Sequence, residues 1–134
     1  MNVLADTSVW SLALRRKPSA KLSAEERRLT GLLSQAVSDG LVVMIGPIRQ
    51  ELLSGIKAQA QFERLKSALG TFRDEPLDSA DYEEAARLYN VCRGRGVECG
   101  PVDMLICAVA ARREWKVLAN DASLNKCLEI ARAR

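Results

Sequence analysis

The chain contains no histidine among its 134 residues. An imidazole group therefore cannot serve as a general acid, general base or nucleophile in this protein. Zinc sites that combine histidine with cysteine are also excluded, and the four cysteines (Cys92, Cys99, Cys107 and Cys127) form no C-x-x-C pair. If the protein is an enzyme, this composition favours carboxylates that act together with a metal ion.

The chain also lacks the segments that would direct it to a membrane or out of the cell. No apolar run approaches the roughly 18 residues that a bilayer span needs, and the first residues show no signal-peptide pattern, so we expect a cytoplasmic protein. The phosphate-binding motifs G-x-x-x-x-G-K-S/T and G-x-G-x-x-G after a first strand are absent. The net charge of +3 permits nucleic-acid binding without demanding it. The length predicts a single domain over residues 1–134.

Apolar segments with the periods of strands and of helices alternate along the chain. Short apolar runs predict strands over residues 3–5, 41–45, 75–77 and 117–119. Helical spacing and capping residues predict helices over residues 9–15, 24–38, 48–54, 62–72, 79–93 and 102–111, a loop over 17–21, and a last helix opened by Asp121 and Ser123. This alternation, without tight hairpins, predicts an α/β fold with a mainly parallel sheet of about four to five strands.

Four carboxylates stand where these apolar segments begin or end. Asp6 closes the first strand, Glu51 lies one helical turn after Gly46-Pro47, Asp103 begins an apolar helix, and Asp121 follows the last strand. In a parallel sheet these positions meet at one edge, which is where ligands bind. Four acids gathered there would repel one another unless a cation lay between them, and carboxylate oxygens suit Mg²⁺ and Mn²⁺.

Each acid also has a plain structural explanation. Asp103 would be an acid in the first turn of a helix capped by Gly100, Asp6 and Asp121 would be helix caps, and Glu51 would lie on an exposed helix face. The helix that Asp103 opens is apolar all round, however, and a buried carboxylate costs several kcal/mol unless it is paired. The joint placement of the four acids therefore favours a site over four separate caps.

Four segments of the chain resemble the PIN domain, in the order and spacing of that family. They are Asp6-Thr-Ser-Val-Trp10, Gly46-Pro-Ile-Arg-Gln-Glu-Leu-Leu-Ser-Gly55, Val102-Asp-Met-Leu-Ile-Cys-Ala108 and Val117-Leu-Ala-Asn-Asp121. Within the family, the chain looks most like the VapC toxins, small ribonucleases of bacterial type II toxin–antitoxin pairs. The resemblance implies a three-layer fold with helices on both sides of the sheet. It also implies RNA cleavage at an acidic site that holds Mg²⁺ or Mn²⁺, with Asp6, Glu51, Asp103 and Asp121 as catalytic and metal-binding residues.

The chain departs from the family pattern at two positions near the last acid. The family often has a hydroxyl residue two places before that acid and an aromatic residue three places after it, where this chain has Ala119 and Leu124. Asp121 is therefore the least secure of the four expected ligands.

Other polar residues lie beside the expected site. Thr7 and Asn120 are candidates to orient the acids or water. Arg93 and Arg95 precede the Asp103 helix and are candidates to contact an RNA backbone, although a solvated helix end explains them equally well.

The sequence leaves two other functions open: a PIN-like domain that binds RNA or protein without cleavage, and a nuclease of RNA processing or DNA repair. The resemblance also implies a homodimer and a cognate antitoxin whose C-terminal segment covers the site and brings a basic residue to Asp6 and Asp103. The helices that begin near Val9 and Glu25 carry broad apolar faces, which predict either such partner surfaces or packing of the two helices on each other.

Overall fold

The computed structural model describes residues 1–14 and 21–134, so the loop predicted over residues 17–21 lies almost wholly outside the described residues. The described elements are β1 (Val3–Ala5), α1 (Thr7–Leu14), α2 (Ala24–Ser38), β2 (Val42–Val43), α3 (Gly46–Leu53), α4 (Gln59–Leu69), α5 (Ser79–Gly94), α6 (Pro101–Arg113), β3 (Lys116–Leu118) and α7 (Ala122–Ala133).

The three strands form a parallel sheet in the order β2-β1-β3. The central strand β1 pairs Val3 with Val42 on one side and Leu4 with Val117 on the other. All three residues of β1 are buried, and because neighbouring strand residues point to opposite faces, both faces of the sheet are covered. The α/β class and the parallel sheet are therefore confirmed.

The sheet is smaller than the four to five strands that the sequence predicts. Residues 75–77 form no strand: the backbone makes an isolated parallel bridge between Met44 and Asp74, and Glu75 N–H donates to the Met44 carbonyl at 2.8 Å. Pro76 then has no N–H with which to continue the ladder. The strand predicted over 41–45 is also shortened to Val42–Val43.

Local capping residues begin two of the helices where the sequence predicts them. Ser23 Oγ accepts from Glu26 N–H at 3.1 Å, and the Glu26 carboxylate accepts from Ser23 N–H at 2.8 Å, which starts α2. Asp78 and Asp81 form the same reciprocal pair at the start of α5. These contacts satisfy backbone N–H groups that a helix leaves without partners.

The apolar faces of α1 and α2 mostly pack on each other. Val9 and Trp10 of α1 are buried, as are Leu29 and Leu33 of α2, and the two helices are in contact. The Trp10 ring also lies edge-on to Phe72, with ring centroids 5.1 Å apart. The expectation that these faces form a partner surface is therefore wrong for most of their residues.

Helix α6 lies in the middle of the fold. Its residues Met104 to Ala110 are all buried, and it contacts α5, α7 and β3. At its C-terminal end, Arg112 and Arg113 both donate to the carboxylate of Asp81, which has no exposed surface; the Arg113 contact is 2.6 Å. This ion-paired cluster fixes the end of α6 against the start of α5.

We expect Asp81→Asn to lower the free energy of unfolding by about 3 kcal/mol, because it removes the buried anion that Arg112 and Arg113 share and leaves Arg112 only its longer contact with Asp78. Urea denaturation of the variant and the parent measures the loss. Glu25→Gln is the control, because Glu25 pairs with Arg28 at the surface and its replacement should change stability far less. Equal losses in the two variants would contradict a structural role for the Asp81 cluster.

Candidate active site

The sheet places Asp6 and Asp121 at the same edge. Asp6 directly follows β1, and its backbone N–H donates to the carbonyl of Leu118, the last residue of β3, at 2.9 Å. Asp121 follows β3 by three positions and is the N-cap of α7. Because β1 and β3 are parallel neighbours, both acids lie at the carboxyl ends of adjacent strands.

Asp103 lies in the first turn of α6, and the charges of the other three acids affect its pKa. Burial, followed by the negative charges of Asp6, Asp121 and Glu51, raises the pKa of the Asp103 carboxyl to about 6. Burial is the largest cause of this shift, and the charges of the other three acids each add to it.

The Asp6 carboxylate is held in a fixed position by its own helix start. Only 5% of the residue is exposed, and Ser8 Oγ donates to Asp6 Oδ2 at 2.7 Å. Burial raises the pKa of Asp6, and the charge of Asp121 adds to this, while hydrogen bonds from Ser8 and from the backbone of Thr7 oppose it. Ser8 was not singled out from the sequence as a site residue; the signal was a hydroxyl two positions after a strand-ending acid.

Glu51 is more exposed and is linked to the start of α1. Thr7 Oγ1 donates to Glu51 Oε1 at 2.6 Å, which joins α3 to the residue that follows Asp6. An open groove runs beside this contact and is lined by Thr7, Glu51 and Val102 together with residues of α3. Glu51 is the one acid of the four that lines this groove, and Val102 lies directly before Asp103.

Asp121 acts as a helix cap in this structure. Its Oδ1 accepts from the N–H groups of Ser123 and Leu124, at 2.9 and 3.1 Å. The structure therefore bears out the interpretation of Asp121 as a helix cap. The charge of Asp121 also raises the pKa of Asp6 and of Asp103. Asn120 is exposed, and over residues 1–14 and 21–134 its side chain makes no hydrogen bond to the four acids.

The four carboxylates are chemically suitable ligands for a divalent cation, but they would have to move closer together to bind one. The four side chains offer oxygen ligands, which Mg²⁺ and Mn²⁺ prefer, and their mutual repulsion at Asp103 is what a cation would relieve. In the part of the chain that the structure describes, no three acids or cysteines lie close enough together to hold an ion without moving. Rotation of exposed carboxylates such as Glu51 is the adjustment that binding would require.

Arg93 and Arg95 lie at the C-terminal end of α5, before the connection to α6. Arg93 Nη1 donates to the hydroxyl of Tyr89 at 3.3 Å. Tyr89 and Arg93 line an open groove together with Cys99 and Gly100. Tyr89 was not singled out from the sequence as a site residue, because a lone tyrosine on a helix carries no motif. Its hydroxyl fixes the guanidinium next to the N-cap of α6.

Stability should depend on pH through Asp103. In the folded protein this carboxyl keeps its proton up to pH about 6, whereas in the unfolded chain it loses it near 3.8. The stabilisation is thus present below pH 3.8 and is lost as the pH rises through 6. Without divalent cations, we expect the free energy of unfolding to fall by about 1–2 kcal/mol across this window, a figure discounted for partial exposure of the group.

The variant Asp103→Asn should lose this pH dependence and melt at a higher temperature than the parent at pH 7 in EDTA. Thermal melts between pH 4 and pH 7 measure both effects. Glu83→Gln removes an exposed acid of α5 and should keep the parental pH profile. Superimposable profiles for the parent and Asp103→Asn would show that the acids do not oppose one another.

Comparisons with known proteins agree with this arrangement. The family model of the PIN domain matches residues 3–127, almost the whole chain. The fold is similar to that in the crystal structure of FitAcB from Neisseria gonorrhoeae, with a TM-score of 0.71 and 23% sequence identity over 95% of this chain and 93% of that chain. A search of curated proteins finds no match. No helix among the described residues is both long and apolar enough to cross a membrane. The strand-end acids, the parallel sheet and the family match together place the chain in the PIN domain family.

Proposed function

We propose that the protein is an endoribonuclease that depends on Mg²⁺ or Mn²⁺ and acts as the toxin of a type II toxin–antitoxin pair. PIN domains are in general metal-dependent nucleases, which supports the nuclease assignment. The observation that carries the proposal is the electrostatic crowding at Asp103, whose ionisation is opposed by burial and by Asp6, Asp121 and Glu51. A group of acids that repel one another at an open sheet edge costs stability and needs a function to explain it.

In this proposal, Asp6 and Asp103 hold the ion, and Glu51 and Asp121 complete its environment. A bound divalent cation supplies Lewis-acid stabilisation of the negative charge that develops on the phosphate. Ser8 Oγ and the backbone N–H groups of Thr7 and Ser8 hold the Asp6 carboxylate in place, while the hydroxyl of Thr7 donates to Glu51. Asp121 uses Oδ1 to cap α7, so its other oxygen has no part in that cap, and Asn120 would orient water or substrate beside it.

Two grooves and two arginines near the acids support RNA as the substrate. One groove is lined by Thr7, Glu51 and Val102, the residue before Asp103, and a second groove lined by Tyr89 and Arg93 adjoins the start of α6. Arg93 and Arg95 offer positive charge for phosphates of the RNA backbone. The absence of histidine also excludes RNA cleavage by a histidine acid–base pair.

We expect the purified protein to cut RNA in Mn²⁺ or Mg²⁺ and to be inactive in EDTA. Asp103→Asn should lower the cleavage rate by about 100-fold or more, in line with the removal of one charge-stabilising group from an active site. Incubation with total RNA, followed by sequencing of the new RNA ends, measures the cleavage. Glu83→Gln serves as the matched acid-removal control. Full activity in EDTA, or an active Asp103→Asn protein, would overturn the mechanism.

Two alternatives are distinguished by the same assays. A PIN-like domain that only binds RNA or protein would leave the RNA uncut, so sequencing would find no new RNA ends. A nuclease of RNA processing or DNA repair would cut its substrate but would not arrest growth. Expression alone and with the product of a small upstream gene separates this case from a toxin, because a cognate antitoxin should co-purify and relieve the arrest. Such an antitoxin would place a basic residue of its C-terminal segment near Asp6 and Asp103.

We also propose that the protein forms a homodimer through the outer face of α5. Tyr82 and Tyr89 are among the most exposed large apolar side chains of the described residues, at 50% and 39%. They line an apolar groove with Pro101, Met104 and Leu105 at the start of α6. Exposed apolar patches of this kind are typical of contact surfaces between proteins. This surface replaces α1 and α2, whose apolar faces are largely buried.

Tyr82→Lys should convert the dimer to a monomer, because it puts a charge into the apolar contact. Val37→Lys is the matched control, since Val37 is similarly exposed, at 41%, but lies on α2. Size-exclusion chromatography with light scattering at micromolar concentration gives the mass of each protein. A monomeric parent would overturn the dimer, and a dimeric Tyr82→Lys variant would place the contact elsewhere.

A further inference from the structure

Three of the four cysteines lie together beside the acidic site. Cys99 is in the connection between α5 and α6, directly before Gly100, and Cys127 is on α7. Their sulfur atoms are 2.9 Å apart, although both residues are free thiols. Cys92, on α5, is close enough to Cys127 to contribute to its raised pKa, after burial and the Cys99 thiol. No local pattern in the sequence pairs these thiols, since 28 positions separate Cys99 from Cys127.

The geometry allows a bond between Cys99 and Cys127 with little rearrangement. A disulfide needs a sulfur–sulfur distance of about 2.05 Å, so the two atoms have to approach by roughly 0.9 Å. Cys99 lies in an irregular connection that contains Gly96, with a φ of 74°, so its backbone can adjust more easily than a helix. Cys127 is fully buried on α7 and provides a fixed partner.

Access to the pair is one-sided. Cys99 is partly exposed and lines the open groove that also contains Tyr89 and Arg93, whereas Cys127 has no exposed surface. A small oxidant therefore meets Cys99 first, and Cys127 then resolves the adduct. Burial raises the pKa of Cys99, and the charges of Asp103 and Asp121 raise it further, so little thiolate is present at neutral pH and the first step should be slow.

We propose that Cys99 and Cys127 form a reversible disulfide that clamps α7 to the start of α6, the two elements that carry Asp121 and Asp103. With oxidised glutathione as oxidant, the Cys99 thiolate attacks one glutathione sulfur and releases the first glutathione thiolate. The Cys127 thiolate then attacks the Cys99 sulfur of the mixed disulfide and releases the second. The two cysteines are oxidised to one disulfide, one oxidised glutathione is reduced to two thiols, and the two cysteine protons end on those thiols.

The test is exposure of the full chain to oxidised glutathione, followed by digestion without reductant and mass spectrometry. We expect a cross-linked peptide pair containing Cys99 and Cys127. The bond closes a loop of 28 residues, so we expect the melting temperature to rise by about 10 °C and to return to its starting value with dithiothreitol. Since these readouts do not involve RNA cleavage, failure of the disulfide would leave the proposed nuclease function untouched.

Two cysteine variants test whether Cys99 and Cys127 are the residues that form the disulfide. Cys99→Ser should abolish both the cross-link and the rise in melting temperature, and it keeps a side chain of similar size at a partly exposed position that packs against the core. Cys92→Ser should leave both effects as in the parent. A Cys92–Cys127 cross-link, a stable glutathione adduct on Cys99 without the internal bond, or a cross-link without thermal stabilisation would each overturn the proposal.

Discussion

The buried carboxylate of Asp81 fixes the helix on which the rest of the structure depends. Its two oxygens accept from Arg112 and Arg113 at the C-terminal end of α6, and it also caps α5. Because α6 is apolar on every side, packing alone would leave its position along its own axis poorly defined. The ion pairs set that position, and the opposite end of the same helix carries Asp103. The placement of one acid of the site therefore rests on a second acid at the other end of the helix.

The sheet provides the second constraint on the site. The hydrogen bond from Asp6 N–H to the Leu118 carbonyl continues the pairing of β1 with β3 past the end of β1, so the backbone at Asp6 cannot move independently of β3. Local hydroxyl and amide groups then orient the side chains: Ser8 for Asp6, Thr7 for Glu51, and the first amides of α7 for Asp121. The sheet sets the backbone positions of Asp6 and Asp121, contacts within three residues orient their side chains, and the contact between Thr7 and Glu51 joins α1 to α3.

The sequence predicts those features that local physical chemistry determines. The reciprocal pair of Ser23 and Glu26 marks the start of α2, and the unbroken apolar run after Asp103 marks a buried helix. The strand predicted at 75–77 failed because a single bridge at Asp74 satisfies the chain before Pro76 ends the ladder. The burial of Asp81 could not be predicted, since its arginine partners lie more than 30 residues away and its local pattern is that of an ordinary capping acid. Contacts between distant segments, such as the two thiols of Cys99 and Cys127, depend on the packing of α7 and carry no local signal.

Asp81 and the pair Asp6 and Asp103 show two environments in which this fold places carboxylates. Asp81 is fully buried and meets two guanidinium groups, which offset the cost of removing its charge from water. Asp6 is buried and Asp103 is half-buried, yet over the described ranges 1–14 and 21–134 neither forms a salt bridge, and the charge of Asp121 raises the pKa of both. The chain places arginines against Asp81 but none against Asp6 or Asp103. The fold therefore retains an electrostatic cost at Asp6 and Asp103 that a purely structural role does not require. Under the proposed function a bound cation would offset that cost, and this would distinguish the acids at the start of α6 from the structural ion pairs at its end.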